Sequence, residues 1–281
     1  DPTLLFTITF LLMFGTMFGD VGHGAVLAGL AVAFRRKLGQ FYRFGVMAGL
    51  SSIAFGFLFG SLFGYKDIIP ALWMSPLYDP ILMLQLALGW GILFITLACA
   101  LTVYNRMVVG EPLAAIFGHH GALNLLFYLS LVWGGVRLVN GDAFGLLPTA
   151  TVLGSLLAMA VYSWKELTAP VGEKILVVAI ETLETVIGYI SNTLSFLRVA
   201  AFSINHVALA IAVLTLASMM GTIGHVLMVI FGNIFIIVLE GVIVTIQVMR
   251  LQYFEGFSRY FSADGHEFAP LRLRGRDRKT A

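Results

Sequence analysis

The stretch ILVVAIETLETVIGYISNTLSFLRVAAFSINHVALAIAVLTLASMM occupies residues Ile175–Met220 and is apolar for most of its length. It contains no Gly/Pro cluster that would predict a turn. A continuous helix of these 46 residues would be about 69 Å long at about 1.5 Å per residue. The hydrocarbon core of a bilayer is only about 30 Å thick. The stretch therefore predicts a helix that tilts strongly across a membrane or projects beyond it.

The composition of the whole chain agrees with a membrane location. Of its 281 residues, 59% are hydrophobic and only 11% are charged, whereas a soluble domain has about 45–50% apolar and about 25% charged residues. The net charge of +2 gives no argument for nucleic acid as a partner. The single cysteine, Cys99, lies in an apolar run, so disulfides contribute nothing. We therefore predict a multi-pass integral membrane protein.

Other apolar runs predict the remaining spans. The candidates of about 20 residues or more are Phe41–Gly64, Pro80–Val109, Leu113–Val139, Phe144–Trp164 and a second long stretch, His225–Phe261. The opening run, Thr3–Phe34, is interrupted by Gly19-Asp20-Val21-Gly22-His23-Gly24. Three glycines and an acid favour a break, so we expect two short helices there.

These runs predict an all-α membrane protein with about eight transmembrane helices, the last two long and strongly tilted. We expect a short helical hairpin over residues 1–36 and four transmembrane helices over 37–164. Residues 165–281 would hold the two long helices and a cytoplasmic tail. The start at Asp1-Pro2, with no signal peptide or initiator methionine, favours a longer polypeptide. Glycines spaced about four residues apart favour close helix packing, at Gly45, Gly49, Gly56, Gly60 and Gly64.

The basic residues orient these spans. With both termini in the cytoplasm, thirteen of the 17 lysines and arginines fall inside: Arg35, Arg36, Lys37, Arg43, Arg106, Lys165, Lys174, Arg259, Arg272, Arg274, Arg276, Arg278 and Lys279. Only Lys66 and Arg137 fall outside, and two arginines remain in mid-membrane. The positive-inside rule therefore predicts cytoplasmic termini.

Polar side chains form a ladder on each of the last two helices. A charge at mid-bilayer costs a few kcal/mol, so such residues are functional candidates. On a helix, one set falls within roughly 80° of arc: Glu184, Ser191, Ser195, Arg198 and Asn205. The final span carries Glu240, Gln247 and Arg250. The carboxylates lie two to four turns from the arginines of their own helix, so they cannot pair locally. A ladder spread over the membrane thickness favours an ion path.

Three alternatives compete with an ion path. The charges could be internal salt bridges that hold helices together, most plausibly at Glu181 and Asp20. They could form the midplane site of a self-contained secondary transporter, which predicts an internal repeat that the sequence lacks. A purely structural scaffold would leave the polar ladder unexplained. His119-His120 are adjacent on the chain and cannot share a metal as helix neighbours. We expect no metal, no cofactor and no enzymatic active site.

Five segments resemble one family. They are Asp1-Pro2-Thr3; Met17-Phe18-Gly19-Asp20-Val21-Gly22-His23-Gly24; Thr193-Leu194-Ser195-Phe196-Leu197-Arg198 with Asn205-His206; Glu240-Gly241 leading to Arg250-Leu251; and Tyr253–Phe261 with Gly265, Phe268 and Pro270. Together they resemble the membrane domain of the V/A-type ATPase subunit called a in eukaryotes and I in bacteria and archaea. They cover almost the whole chain in the family's order.

The resemblance implies a stator subunit of a rotary ATPase or ATP synthase. Arg198 and Arg250 would face the carboxylate of a proteolipid rotor ring, and the polar residues that line two half-channels for protons or sodium would be Glu184, Asn205, His206, Glu240 and Gln247. Asp20 matches the acidic residue of the first-hairpin motif. Gln247 stands where vacuolar relatives carry a histidine, so a proton-relaying imidazole is missing there.

The resemblance also implies partners and a location. The partners would be the rotor ring, the peripheral and central stalk subunits of the same complex and the lipid bilayer. The family's large cytoplasmic N-terminal domain is not in this sequence. The short outside loops favour a prokaryotic plasma membrane.

The predicted orientation is open to a labelling experiment. We expect a cysteine introduced by Arg276→Cys to resist a membrane-impermeant maleimide in intact cells and to react after permeabilisation. The control is Asp142→Cys, in a loop predicted to lie outside, which should react in both conditions. Labelling of the Arg276→Cys variant in intact cells would reverse the orientation.

Overall fold

The structure is a computed structural model and describes residues 3–65, 68–118, 121–168 and 170–261. Several residues used above lie outside these ranges: Asp1, Pro2, Lys66, His119, His120 and everything after Phe261, including Gly265, Phe268, Pro270 and the basic tail.

The described chain is helical almost throughout, as predicted. The helices are α1 (Thr3–Met17), α2 (Val21–Ala33), α3 (Arg35–Leu38), α4 (Phe41–Phe59), α5 (Pro80–Val109), α6 (Pro112–Phe117), α7 (Ala122–Val139), α8 (Leu146–Glu166), α9 (Val171–Ser195), α10 (Leu197–Ser218), α11 (Thr222–Phe235), α12 (Gly241–Leu251) and α13 (Ser258–Tyr260). Two π-helical turns interrupt the last run: Ile236–Glu240 before α12 and Gln252–Phe257 after it.

Six helices in the described chain are long and apolar enough to cross a membrane. Four of them correspond to α4, α5, α7 (within Ala115–Val139) and α8. The other two are the long runs Val171–Ser218 and Thr222–Tyr260. The opening stretch is broken at Phe18-Gly19-Asp20, as expected, but α1 and α2 have only 15 and 13 residues. At about 1.5 Å per residue, each is shorter than a bilayer core of about 30 Å. The count of eight spans stays a prediction.

The two long runs have the predicted lengths, 48 and 39 residues. The first is continuous except at Phe196, whose backbone stays helical (φ −73°, ψ −15°) between α9 and α10. At about 1.5 Å per residue it extends for about 72 Å. A helix of this length must tilt or project from a bilayer.

Helix α1 forms the centre of the helix bundle. Phe10, Met13, Phe14 and Met17 on this helix are each at most 2% exposed. The helix packs against α4, α10 and α12. A buried hydrogen bond of 2.6 Å, from Gln252 Nε2 to Thr9 Oγ1, ties α1 to the second π turn.

Close packing joins α2 to α4 at Gly45, Gly49 and Gly56, as the glycine spacing predicts, whereas Gly60 and Gly64 follow α4 with positive φ. A Cβ atom added at Gly49 would lie 2.7 Å from the Ala28 nitrogen and 2.7 Å from the Gly24 oxygen. One added at Gly24 would lie 2.7 Å from the Gly49 oxygen. Helices α1 and α2 both pack mainly on α4 rather than along each other. The tight α2–α4 contact fixes the position of the segment that connects α1 to α2.

Replacing one of these glycines tests the contact. We expect Gly49→Ala to lower the free energy of unfolding by about 1–3 kcal/mol, because the helices must separate to admit a methyl group. The control is Gly29→Ala on α2, where an added Cβ meets nothing within 4 Å. That variant should be neutral or up to about 1 kcal/mol more stable. Thermal unfolding in detergent measures both, and equal effects would contradict the packing.

Candidate functional site

The two long helical runs each place one arginine beside a shared cavity. Arg198 is the second residue of α10, and Arg250 is the last residue but one of α12. We call this space, with a volume of about 350 Å³, the arginine cavity. It is lined by Ser191, Asn192, Ser195, Arg198, Arg250, Leu251, Phe254 and Glu255. The structure therefore brings together both predicted arginines and the two predicted serines.

The junction at Phe196 sets the position of Arg198. The Phe196 ring is fully buried and lies 5.5 Å from the ring of Phe94, centroid to centroid. Gly91 leaves room for this ring, since a Cβ there would lie 2.7 Å from Phe196 Cγ. The aromatic side chain thus anchors the α9–α10 junction to α5, two residues before Arg198.

Neither arginine is satisfied within the described chain. Arg198 is half-buried and Arg250 is exposed. No carboxylate among the described residues lies within 4.0 Å of either guanidinium. The carboxylate that shares their cavity, Glu255, therefore lies beyond ion-pair distance of both guanidinium groups.

Glu255 is a site residue that the helix-face argument did not identify. It is 8% exposed, and its Oε2 atom is buried without a hydrogen-bond partner in the described chain. It lies in the second π turn and faces the same cavity as the two arginines. A carboxylate in an otherwise apolar span was the available sequence signal.

Arg259 is a third arginine of the last two long runs, and its side chain is buried. Its guanidinium lies over the ring of Tyr189, 5.0 Å from the centroid, and its side chain is 8% exposed. It was counted with the loop residues because it lies near the end of the span. The long run continues to Tyr260, so this residue remains within the helix bundle.

A second polar cavity adjoins the first. This glutamate cavity, of about 210 Å³, is lined by Asn124, Glu181, Glu184, Thr185, Gly188, Tyr189, Asn192 and Arg259. Asn192 lines both cavities. The predicted residue Glu184 is exposed and belongs to this second space.

A buried cluster of polar residues lies at the other predicted carboxylate. His206 Nδ1 is 2.6 Å from Glu240 Oε2, and both side chains are almost fully buried. The His206 ring meets that of His23 edge to face, with centroids 5.3 Å apart. His23 Nε2 is 2.6 Å from Asn233 Oδ1. We call Asp20, His23, His206, Asn233 and Glu240 the histidine cluster. His23 and Asn233 were not among the predicted site residues.

Asp20 is the most fully bonded member of the histidine cluster. Its Oδ1 accepts from the backbone N–H groups of His23 (3.0 Å) and Phe63 (2.9 Å). Its Oδ2 accepts from the Ser61 hydroxyl (2.5 Å) and the Gly64 N–H (3.0 Å). This carboxylate caps α2. It also holds the loop after α4, where Phe63 has a positive φ of 49°. The contacts give Asp20 a structural role.

The remaining predicted residues are dispersed. Glu184 and Glu240 occupy separate sites, the glutamate cavity and the histidine cluster. Asn205 is exposed, whereas its neighbour His206 is buried. Gln247 is half-buried, and its Oε1 atom has no hydrogen-bond partner in the described chain.

Comparison with known proteins reveals relatives of this chain. Residues 162–273 match the profile of the V-type ATPase 116kDa subunit family. The chain is 25% identical to the A-type ATP synthase subunit I of Pyrococcus horikoshii, over 96% of this chain and 43% of that protein. The chain is thus similar to members of the V/A-type ATPase subunit a/I family. The same-named protein of Aeropyrum pernix is 24% identical over 98% of this chain and 47% of its own length.

A eukaryotic relative matches a shorter part of this chain. The V-type proton ATPase subunit a of Schizosaccharomyces pombe is 34% identical over 40% of this chain and 15% of its own length. The chain spans less than half the length of the archaeal relatives named above.

The hydrogen bonds of Asp20 generate a stability prediction. We expect Asp20→Ala to lower the free energy of unfolding by at least about 3 kcal/mol, because it leaves four donors without their charged acceptor. The control is Asp142→Ala, whose side chain is 65% exposed and only 4.0 Å from Arg137. The control should change stability by no more than about 0.5 kcal/mol. Thermal unfolding in detergent measures both, and a wild-type midpoint for Asp20→Ala would refute the structural role.

Proposed function

We propose that this chain is the membrane part of the stator subunit of a V/A-type ATPase or ATP synthase. It conducts protons, or sodium ions, past the carboxylates of a proteolipid rotor ring and does not itself hydrolyse ATP. The observation that supports this function best is the arginine cavity. One arginine from each long helical run lines it, and both lack a carboxylate partner in the described chain.

In this mechanism the arginines receive the ring carboxylate in its ionised form. A carboxylate that arrives from the lipid is neutral, and the guanidinium groups favour release of its ion and stabilise the negative charge. Arginine suits this task because burial seldom neutralises it. The fixed positive charges also repel cations and so prevent a direct leak between the two half-channels.

We assign the two half-channels to two polar regions, the glutamate cavity and the histidine cluster. The glutamate cavity joins the arginine cavity at Asn192 and supplies Glu181 and Glu184 as carboxylates for ion exchange. The histidine cluster holds Glu240 and His206 in a separate buried region. Their separation supports two paths that do not connect except through the ring. Glu255, within the arginine cavity, supplies a negative charge when no ring carboxylate is present.

The proposed topology follows from the same function. The two runs Val171–Ser218 and Thr222–Tyr260 would tilt around the rotor ring, and α1 and α2 would complete eight helical passages. The termini would be cytoplasmic, in a prokaryotic plasma membrane, where the peripheral and central stalk subunits of the complex are partners.

Arginine replacement tests this function. We expect Arg198→Ala, and separately Arg250→Ala, to reduce ATP-driven ion pumping by vesicles that contain the whole complex to background. Assembly should persist, because neither guanidinium forms an ion pair in the described chain. Arg198→Lys should also pump poorly, because a buried ammonium loses its charge more readily.

The matched control is Arg36→Ala, an exposed arginine of α3. It should pump at the wild-type rate. Near wild-type pumping by an assembled Arg198→Ala complex would refute the proposed function.

A further inference from the structure

Two imidazole nitrogens in the histidine cluster have no partner. His23 and His206 are 0% and 2% exposed. His23 Nδ1 and His206 Nε2 are buried and make no hydrogen bond within the described chain. A buried nitrogen without a partner is costly, so a missing partner is expected at such a position.

Each of the two imidazoles has one hydrogen-bonded nitrogen, and that bond determines whether the other nitrogen carries a proton or a lone pair. Asn233 Nδ2 donates to the Val229 carbonyl at 2.7 Å, so Asn233 Oδ1 faces His23 as an acceptor. His23 Nε2 must then be the donor. His206 Nδ1 likewise donates to the Glu240 carboxylate. In the neutral imidazoles, His23 Nδ1 and His206 Nε2 therefore each present a lone pair.

A carboxylate oxygen completes this group of acceptors. Asp20 Oδ1 lies 3.6 Å from His23 Nδ1. Ligand atoms from Asp20, His23 and His206 all lie within 4.8 Å of one another. Three buried residues thus bring potential ligand atoms close to one another.

The cluster contains two buried carboxyl groups, which a bound cation would stabilise in their ionised form. Asp20 and Glu240 are both buried, and among the described residues neither has a lysine or arginine within 4.0 Å. A divalent ion between the imidazoles would balance two carboxylates. Buried charges of one sign are normally paired or bind a metal.

We propose that Asp20, His23 and His206 form a binding site for a divalent transition-metal ion of the Zn²⁺ class. Two imidazole nitrogens and one carboxylate oxygen are a ligand set that suits zinc, with a fourth position for water. The ligand atoms would have to move closer together to form bonds of about 2.0–2.2 Å to the metal. Asp20 Oδ1 would bind the metal and also accept its two backbone hydrogen bonds.

The surrounding hydrogen bonds support the assignment. Metal-binding histidines usually donate their second N–H to a carboxylate or carbonyl, which fixes the tautomer and the ring orientation. Glu240 has this relation to His206, and Asn233 has it to His23. The site therefore has its outer ligand shell already in place.

The proposal goes beyond ion translocation. His206 and Glu240 belong to one of the proposed half-channels, so a bound metal ion would occupy the same residues as the transported ion. Metal binding to the isolated chain does not depend on rotation. A failure of zinc binding to the isolated chain would therefore be distinguishable from a failure of ion pumping by the complex.

Zinc binding to the whole chain, purified in detergent, tests the site. The background carries His119→Gln, His120→Gln and His266→Gln, because those histidines lie outside the described residues. We expect one Zn²⁺ per chain by equilibrium dialysis at micromolar zinc. We also expect an X-ray absorption spectrum at the zinc edge with two imidazole ligands. His23→Gln and His206→Gln should each weaken binding at least about tenfold.

Two further variants serve as controls. His225→Gln should bind zinc as the background does, because His225 Nδ1 instead contacts the Ala217 carbonyl. Arg198→Ala should also bind normally, which separates this site from the arginine cavity. The proposal is overturned if no zinc binds even at about 100-fold above micromolar concentration, or if the spectrum shows no imidazole ligands. It is also overturned if His225→Gln weakens zinc binding as much as His23→Gln and His206→Gln do. The spectrum decides the matter even if the His23 and His206 variants do not fold.

Discussion

A charged group buried in an apolar helix bundle has to find its partners within the protein, and the arrangement around Asp20 shows how much of the fold this requirement fixes. Asp20 accepts four hydrogen bonds, from three backbone N–H groups and one serine hydroxyl. These bonds cap α2 and hold the loop that follows α4. The glycine contact between α2 and α4 brings the donors within reach. The position of His23, three residues after Asp20, follows from the same cap.

The carboxylates of the final span lie where its helix is irregular. Glu240 ends the first π turn and Glu255 lies in the second. A π turn adds a residue to the helical repeat and rotates everything after it, and such turns occur frequently at functional sites. The two turns therefore allow one helical run to place Glu240 toward the histidine cluster and Glu255 toward the arginine cavity.

The sequence predicted the long runs, the break before α2 and the glycine packing, because each depends on local composition. The arginine cavity was partly predictable, since Ser191, Ser195 and Arg198 are near neighbours on regular helix. Glu255 and His23 were not identified as site residues. A helical projection assumes 100° per residue, which fails across two π turns. His23 depends on a contact with Asn233, 210 residues later, and that distance in sequence leaves no local signal.

The three arginines of the last two runs differ in the contacts that their guanidinium groups make within the chain, and this difference separates their roles. Arg259 lies over the Tyr189 ring and is 8% exposed, so its charge is used within the chain. Arg198 and Arg250 are more exposed and have no described carboxylate within 4.0 Å. In a bilayer, an exposed guanidinium without a partner is costly. We therefore propose that Arg198 and Arg250 receive a carboxylate from another chain, whereas Arg259 is held within this chain by its contact with Tyr189.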